Sequence, residues 1–301
     1  MSVSVARGAS RSRAVATAAD YLALTKPRVV SLLVVTGVCG YLAGAAGHVR
    51  LGIMLAVAGG GALAAGGANA LNCAFDKDLD AVMARTSGRP LPGGRIPVAG
   101  AVVMGIAMNA GAALWLDRSA DLLAAGLALG GTAWYLVIYT AWLKRRSTQN
   151  IVIGGAAGCF PPLVGWAAAT GTLDATALTL AAVIFLWTPA HFWALATLLR
   201  NDYRRAGIPM LPAVVSVRRT ASQASVYAVA TVVVSLAPIL WLGAGLLYTA
   251  SAAGLGAVFI GRAGAFRRDA DTGSARRLFR YSIVYLAVLF VVLVVDRTIQ
   301  A

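Results

Sequence analysis

The chain has 301 residues, of which 59% are hydrophobic and only 12% are charged. Because roughly a quarter of the residues in an average soluble domain are charged, this composition excludes a typical soluble fold and indicates a membrane protein. The formal net charge of +15 does not indicate a nucleic-acid partner, because the basic residues are spread along the chain between alternate apolar stretches. That distribution is expected for the cytoplasmic loops of a membrane protein.

The first part of the chain differs from the rest. Residues 1–20 contain Arg7, Arg11 and Arg13 but lack the apolar centre of a secretory signal. We interpret them as a disordered cytoplasmic tail, with a mitochondrial transit segment as the open alternative. Residues 21–301 are predicted to form a single domain.

The rest of the chain is built from apolar stretches that predict helices crossing a hydrocarbon core of roughly 30 Å. The predicted fold is all-α, a polytopic bundle of nine transmembrane helices. The nine stretches cover about residues 29–47, 53–75, 97–116, 121–143, 150–170, 173–199, 222–243, 246–261 and 281–295. The seventh and eighth are separated by little polarity, so a single re-entrant hairpin is an alternative there.

The distribution of Lys and Arg predicts the orientation of the bundle. If the amino terminus is cytoplasmic, only Arg50, Arg118 and Arg297 of the 26 basic residues fall on the outer side. The positive-inside rule therefore favours this orientation, in a cell membrane. Three prolines within apolar stretches, Pro161, Pro162 and Pro189, are predicted to kink their helices beside a chamber.

A group of polar residues at the cytoplasmic end of the second span carries the most chemical information. Asn72, Asp76 and Asp80 are each four residues apart, so on a helix they share one face. Carboxylates one turn apart repel each other unless a cation holds them. Magnesium prefers oxygen ligands and is commonly held by one or two carboxylates together with substrate phosphates. The spacing thus predicts a site that binds a diphosphate through Mg²⁺.

Two arginines continue the same segment. Arg85 and Arg89 are again four residues apart, and the planar guanidinium group of arginine suits phosphate oxygens. The structural alternative is that these arginines and aspartates are ordinary residues of the membrane interface. Lys144, after the fourth span, has the same two interpretations, as a phosphate ligand or as an anchor at the headgroups.

The Asn-x-x-x-Asp-x-x-x-Asp motif on the second of nine spans resembles the UbiA-type intramembrane prenyltransferase superfamily. That family has a second aspartate-rich motif, and the matching loop here, 199–212, contains one aspartate, Asp202, where the broad family has two. The sequence Asp-Tyr-x-x-Ala-Gly-Ile-Pro-Met-Leu-Pro is similar to the haem O synthase branch. Further segments that match this branch, over roughly residues 20–297, are 24–28, 139–146, 149–151 and 161–166.

The resemblance implies an enzyme, a prenyltransferase that transfers the farnesyl group of farnesyl diphosphate to a vinyl group of haem B, with addition of water, and releases diphosphate. It implies that Asp76, Asp80 and Asp202 hold Mg²⁺ and that Lys144 assists catalysis. The substrate-binding side chains would be Asn72, Arg85, Arg89, Tyr203, Arg204, His191 and Asn150. The product would pass to a haem A synthase or an oxidase assembly factor, and the lipid bilayer is the other partner.

His191 lies within the sixth span, two residues after Pro189. An ionisable ring inside a span is a functional hypothesis by default, and we expect it to face the substrate, where a neutral imidazole can bind haem iron. The alternative is a structural histidine that bonds to a carbonyl freed by Pro189.

Two other functions are considered. One is the same chemistry on a quinone precursor, which the single aspartate of loop 199–212 disfavours. The other is a haem or ion carrier, which would place its polar residues near the middle of the membrane. The acids and arginines here concentrate at one face, and this favours an enzyme.

Overall fold

The computed structural model describes residues 18–241 and 243–300, apart from the side chain of Trp241. Most of the predicted amino-terminal tail, residues 1–17, lies outside the described residues. Residues 18–24 form a short helix, whose Tyr21 and Leu24 pack against the loop that follows the second span. Residues 18–20 of the predicted tail are therefore helical.

Within this described part, nine helical segments are long and apolar enough to cross a membrane, and we number them α1 to α9. The all-α prediction is confirmed, and the chain is a multi-pass membrane protein. The segments are α1 Pro27–Ala45, α2 Leu51–Phe75, α3 Val98–Ser119, α4 Leu122–Leu143, α5 Asn150–Thr170, α6 Ala175–Leu198, α7 Val217–Leu240, α8 Leu246–Asp269 and α9 Thr272–Gln300.

Three of these helices, α7, α8 and α9, extend five or more residues beyond the predicted apolar stretches. α8 and α9 continue into residues 262–280, which lie between the predicted eighth and ninth stretches, and only a short turn separates the two helices. Arginine is a good helix former, so the apolar stretch marks only the part of the helix that the membrane can cover. α7 begins at Val217, where the Ser216 hydroxyl accepts a bond from the Arg219 N–H. α7 and α8 are separate helices, and each is long and apolar enough to cross a membrane, as the prediction of nine spans requires.

Glycines bring α1 and α5 into close contact. A methyl group added at Gly165 would lie 1.9 Å from the Gly37 carbonyl oxygen, and one added at Gly40 would lie 2.5 Å from that of Pro162. Lipid gives helices no hydrophobic reason to associate, so such close backbone approach supplies the packing. α5 also changes its winding, with a 3₁₀ stretch at Gly155–Cys159 just before Pro161 and Pro162.

The second half of α4 has an unusual conformation. Trp134–Leu143 is a π-helix of ten residues, and the Lys144 N–H bonds to the carbonyl of Tyr139, five residues earlier. π-helices are rare and are frequent at functional sites. The wider winding carries α4 into the loop that presents Lys144 to α2.

Three short helices lie between the spans. Lys77–Val82 follows α2, whereas Arg200–Arg205 and Leu211–Val214 both follow α6. Since α2, α4 and α6 are alternate spans, their carboxyl ends lie on the same side of the bundle. This side holds the polar motifs described above.

Candidate active site

A cavity of about 1000 Å³ opens among helices α1, α2, α4, α5, α6 and α9. Most of its lining is apolar. One end differs, because strongly polar and charged side chains converge there: Lys26, Arg28, Asn72, Asp76, Asp80, Arg85, Arg89 and Lys144. The cavity is thus an apolar chamber with a charged end.

Asp76 is the most constrained residue at this end. It is 2% exposed, and its Oδ2 atom accepts bonds from Lys144 Nζ at 2.5 Å and Asn72 Nδ2 at 2.7 Å. Its Oδ1 atom is buried without a partner. Among the described side chains, six buried polar atoms lack a partner, and Asp76 Oδ1 is the one that belongs to a cavity-lining residue. An unpaired buried carboxylate oxygen is costly, so it indicates a ligand.

Asp80 is also buried and forms an ion pair with a different basic side chain, Arg89. Arg89 donates to both carboxylate oxygens, at 3.0 and 2.8 Å. The loop between them is fixed by Thr86, whose buried hydroxyl donates to the Asp80 carbonyl at 2.9 Å. Arg85 lines the cavity beside this pair. The structure therefore brings both aspartates and both arginines of the motif to one place.

Asn72 connects these groups to the first span. Its amide donates to Asp76 and to the Thr140 hydroxyl, at 3.1 Å, and its oxygen accepts from Lys26 Nζ at 2.9 Å. Lys26 has a left-handed backbone with φ 52°, and burial lowers the pKa of its ammonium group, an effect that neighbouring Arg89 reinforces. Lys26 was not predicted as a site residue, although a lysine directly before Pro27 at the start of a span was a usable signal.

Aromatic rings border the charged end. Tyr135 and Tyr139 stack at 5.6 Å between ring centroids, and Lys144 Nζ lies 5.9 Å from the Tyr139 ring. Both tyrosines belong to the π-helical part of α4. Tyr203, from the short helix after α6, is buried and lines the same cavity. Burial raises the pKa of Tyr203 to about 12, so its hydroxyl remains a hydrogen-bond donor at neutral pH.

Asp78 lies between the two inward aspartates in sequence but faces outward. Its carboxylate pairs with Arg145 at 2.8 Å, and 63% of its side chain is exposed. The pair with Arg145 lowers the pKa of Asp78. Asp78 does not line the cavity, which makes it a natural control for Asp76.

Four of the predicted site residues do not line the cavity. Asp202 pairs with Arg205, and Arg204 donates to the Ala213 carbonyl at 3.0 Å. Asn150 is buried, with a long contact of 3.4 Å to the Lys144 carbonyl. His191 stacks on Trp187 at 4.1 Å and places Nδ1 2.7 Å from the Ser282 hydroxyl.

The chemistry of the charged end suits a hard cation in part. Asp76 and Asp80 offer carboxylate oxygens, and one of these is unpaired, but Asp202 does not reach the cavity. Among residues 18–241 and 243–300, no three His, Cys, Asp or Glu side chains come together as a metal site. Because Mg²⁺ is typically held by one or two carboxylates plus substrate phosphates, the pair is compatible with a metal that arrives with a diphosphate.

Comparisons with a family model and with curated relatives point to the same family. Residues 33–291 match the UbiA prenyltransferase family. The chain is 45% identical to the protoheme IX farnesyltransferase of Rhizorhabdus wittichii, over 97% of this chain and 99% of the relative. It is 49% identical to that of Thermus thermophilus and 47% identical to that of Roseiflexus sp., over 94% of this chain but 47% and 53% of those relatives. The chain thus spans about half the length of the latter two.

Solved structures with the same fold are more distant in sequence. A digeranylgeranylglyceryl phosphate synthase superposes with a TM-score of 0.77 at 18% identity, covering 94% of this chain and 99% of that one. A UbiA homologue from Archaeoglobus fulgidus bound to GPP and Mg²⁺ gives 0.61 at 16% identity, covering 91% and 99%. These likenesses establish the fold alone.

Proposed function

This chain belongs to the UbiA prenyltransferase family, and we propose that it transfers the farnesyl group of farnesyl diphosphate to a vinyl group of haem B. Water adds in the same reaction, giving haem O and diphosphate. The name of its relatives, protoheme IX farnesyltransferase, supports the choice of both substrates. The observation that carries the proposal is the charged end of the cavity, with the unpaired Oδ1 atom of Asp76.

The charged end would bind the diphosphate. In the structure, the carboxylates of Asp76 and Asp80 are neutralised by Lys144 and Arg89. Asp76 and Asp80 would hold a metal that enters with the diphosphate, and Lys144 and Arg89 would bind the phosphate oxygens. Lys26, Arg85 and Asn72 line the same end and would complete the cradle. Charge-assisted bonds of this kind are the strong ones.

Asp76 and Asp80 would hold Mg²⁺, which when bound supplies positive charge to the leaving diphosphate. Asp202 does not line the cavity, so as a metal ligand it would require a change in the loop after α6. We propose instead that Asp202 and Arg204 position that loop, since their bonds run to Arg205 and to the Ala213 carbonyl. Tyr203, from the same loop, lines the cavity and would contact the substrate.

The protein's own contribution to the chemistry is electrostatic. The allylic carbon–oxygen bond breaks and its electron pair leaves with the diphosphate, where Lys144 and Arg89 stabilise the growing negative charge. The vinyl group of haem B attacks the allylic carbon and forms the new carbon–carbon bond. A water molecule adds to the resulting cation and passes its extra proton to solvent water. The apolar remainder of the cavity excludes bulk water, which would otherwise capture the farnesyl cation first.

Two further proposals concern the side of the membrane that the charged end faces and the residues near the haem. We propose that the charged end faces the cytoplasm, as the distribution of Lys and Arg favours, and that the product passes to a haem A synthase or an oxidase assembly factor. For the haem itself, the Trp187 ring lines the cavity, and His191, which stacks on that ring, would position it. Asn150 would help to position Lys144, because the Asn150 amide lies within 3.4 Å of the Lys144 carbonyl oxygen.

The test is a product assay. Purified protein in detergent is incubated with haem B, farnesyl diphosphate and Mg²⁺, and the porphyrins are separated by liquid chromatography and weighed by mass spectrometry. We expect a haem heavier by a farnesyl group plus water, absent when the metal is chelated. Product with an aromatic quinone precursor but none with haem B would contradict the proposed acceptor. Absence of product with every acceptor, beside an active control prenyltransferase, would contradict the proposed reaction.

A further inference from the structure

Residues at similar depth on several helices line the apolar part of the cavity, and on α2 Val57 lines it one turn deeper. Gly61 precedes Asp76 by 15 residues, which corresponds to about 22 Å of helix. Ala128 on α4 and Val164 on α5 line the cavity and lie roughly 20 Å along their helices from the same charged side. The cavity is therefore long enough for an extended chain that begins at Asp76.

One face of α2 runs the whole length of this cavity. Its lining residues recur every three or four positions, which is the repeat of a single helix face. They are Val57, Gly61, Ala64, Ala65, Ala68, Asn69, Asn72 and Asp76. A side chain at Gly61 would therefore point in the same direction as the side chains of Asn72 and Asp76.

Gly61 differs from the other glycines that line the cavity. A methyl group added at Gly154 would lie 2.5 Å from the Tyr139 ring, at Gly155 2.6 Å from Thr188, and at Gly131 2.9 Å from Phe160. Packing explains these three. At Gly61 an added methyl group meets no atom of the described residues within 4 Å. A glycine inside a helix is destabilising relative to alanine, and no neighbouring protein atom accounts for Gly61.

We propose that Gly61 sets the length of the isoprenoid arm that the cavity accepts. The terminal unit of the arm occupies the open space over Gly61, so a larger side chain at this position shortens the cavity from its apolar end. The donor is then selected by chain length at Gly61 and by its diphosphate at Asp76. This inference rests on the proposed prenyl transfer and adds a residue that determines its specificity.

The test compares Gly61→Leu with Gly126→Leu. Gly126 lies on α4, is exposed, and likewise has open space around an added methyl group, but it does not line the cavity. Overfilling an occupied space forces strain, so we expect Gly61→Leu to lower kcat/KM for farnesyl diphosphate about tenfold or more. The value for the shorter geranyl diphosphate should change by less than about threefold. Gly126→Leu should leave the ratio of the two values at that of the wild type.

Two further measurements keep the outcome decisive. Gly61→Ala adds one methyl group in open space and folds if Gly61→Leu does not; we expect a change in the same direction but smaller. The shift of the unfolding midpoint by each prenyl diphosphate reports binding without turnover. A wild-type protein stabilised by farnesyl diphosphate but inactive on haem B would contradict the proposed function, and this shift would still test Gly61. An unchanged preference between farnesyl and geranyl diphosphate in both Gly61 variants would overturn the inference.

Discussion

Two buried polar regions of this bundle differ in how completely their groups are paired. At the charged end, Asp76 leaves one carboxylate oxygen without a partner, and its cations line an open cavity. Around His191, between α6 and α9, the side chains bond to one another instead. Ser282 donates to the Phe279 carbonyl at 2.7 Å and lies 2.7 Å from His191, and Trp187 donates to the Ser282 carbonyl at 2.8 Å.

This difference distinguishes a ligand-binding site, at the charged end, from a structural region, around His191. Buried polar groups are normally hydrogen-bonded, and a satisfied network rigidifies the protein. His191 is further packed between the rings of Trp187 and Phe279, at 4.1 and 4.9 Å. A region that is paired within the protein indicates a structural role, whereas a carboxylate pair that faces an open cavity with spare oxygen indicates ligand binding.

The largest effect is expected at Asp76. Asp76→Asn removes the charge that would hold the metal and leaves Lys144 without its buried partner, so we expect haem O formation to fall about 100-fold or more. Product formation by mass spectrometry is the measurement. Asp78→Asn, two residues away and facing outward, is the control and should retain turnover within about twofold. Equal losses in both variants would remove the distinction between the two aspartates.

A smaller effect is expected at Arg89. Arg89→Ala removes a charge-assisted contact to the diphosphate, a bond typically worth 1.5–3 kcal/mol, so we expect KM for farnesyl diphosphate to rise about tenfold or more. Arg145→Ala removes a cation that pairs with Asp78 outside the cavity and should leave KM near that of the wild type. An unchanged KM in Arg89→Ala, with protein that still folds, would exclude Arg89 from diphosphate binding.

The paired region should respond in stability rather than in donor binding. Ser282→Ala leaves His191 Nδ1 without its partner, at a cost of about 1–3 kcal/mol, and should lower the unfolding midpoint while KM for farnesyl diphosphate is retained. Ser222→Ala is the control, because this exposed hydroxyl bonds only to a carbonyl of its own helix. If Ser282→Ala instead lost haem O formation without a lower unfolding midpoint, His191 would be placed at the haem-binding site.

The smallest effect is expected at the exposed pair of Asp78 and Arg145. Arg145 lowers the pKa of Asp78, so the pair stabilises the protein above the ordinary carboxylate range and loses this stabilisation as pH falls through the lowered pKa. With 41% and 63% of the two side chains exposed, we expect at most about 0.5 kcal/mol. Unfolding midpoints of Arg145→Ala and wild type should differ slightly at neutral pH and converge below about pH 4. A large difference that persists in acid would contradict this.

The sequence predicted the fold class and the number of spans, because apolar stretches reflect the membrane directly. It did not predict the helical ends of α8 and α9, since arginines outside the membrane can be helical or not. The charged end was predictable where residues are near in sequence, as with Asp76, Asp80 and Arg89. Lys26 was missed, and the placement of Asp202 outside the cavity was not foreseen, because contacts between distant segments depend on packing. The π-helix of α4 has no clear sequence signal.

The central claim is that the charged end binds the donor diphosphate together with a metal. Calorimetric titration of the purified protein with farnesyl diphosphate tests it most directly, with Mg²⁺ present and with Mg²⁺ chelated, for wild type, Asp76→Asn and Asp78→Asn. We expect one donor to bind per chain to the wild type and to Asp78→Asn when Mg²⁺ is present. Binding should be lost in Asp76→Asn and on chelation. Equal binding to Asp76→Asn and wild type, with or without the metal, would contradict the account.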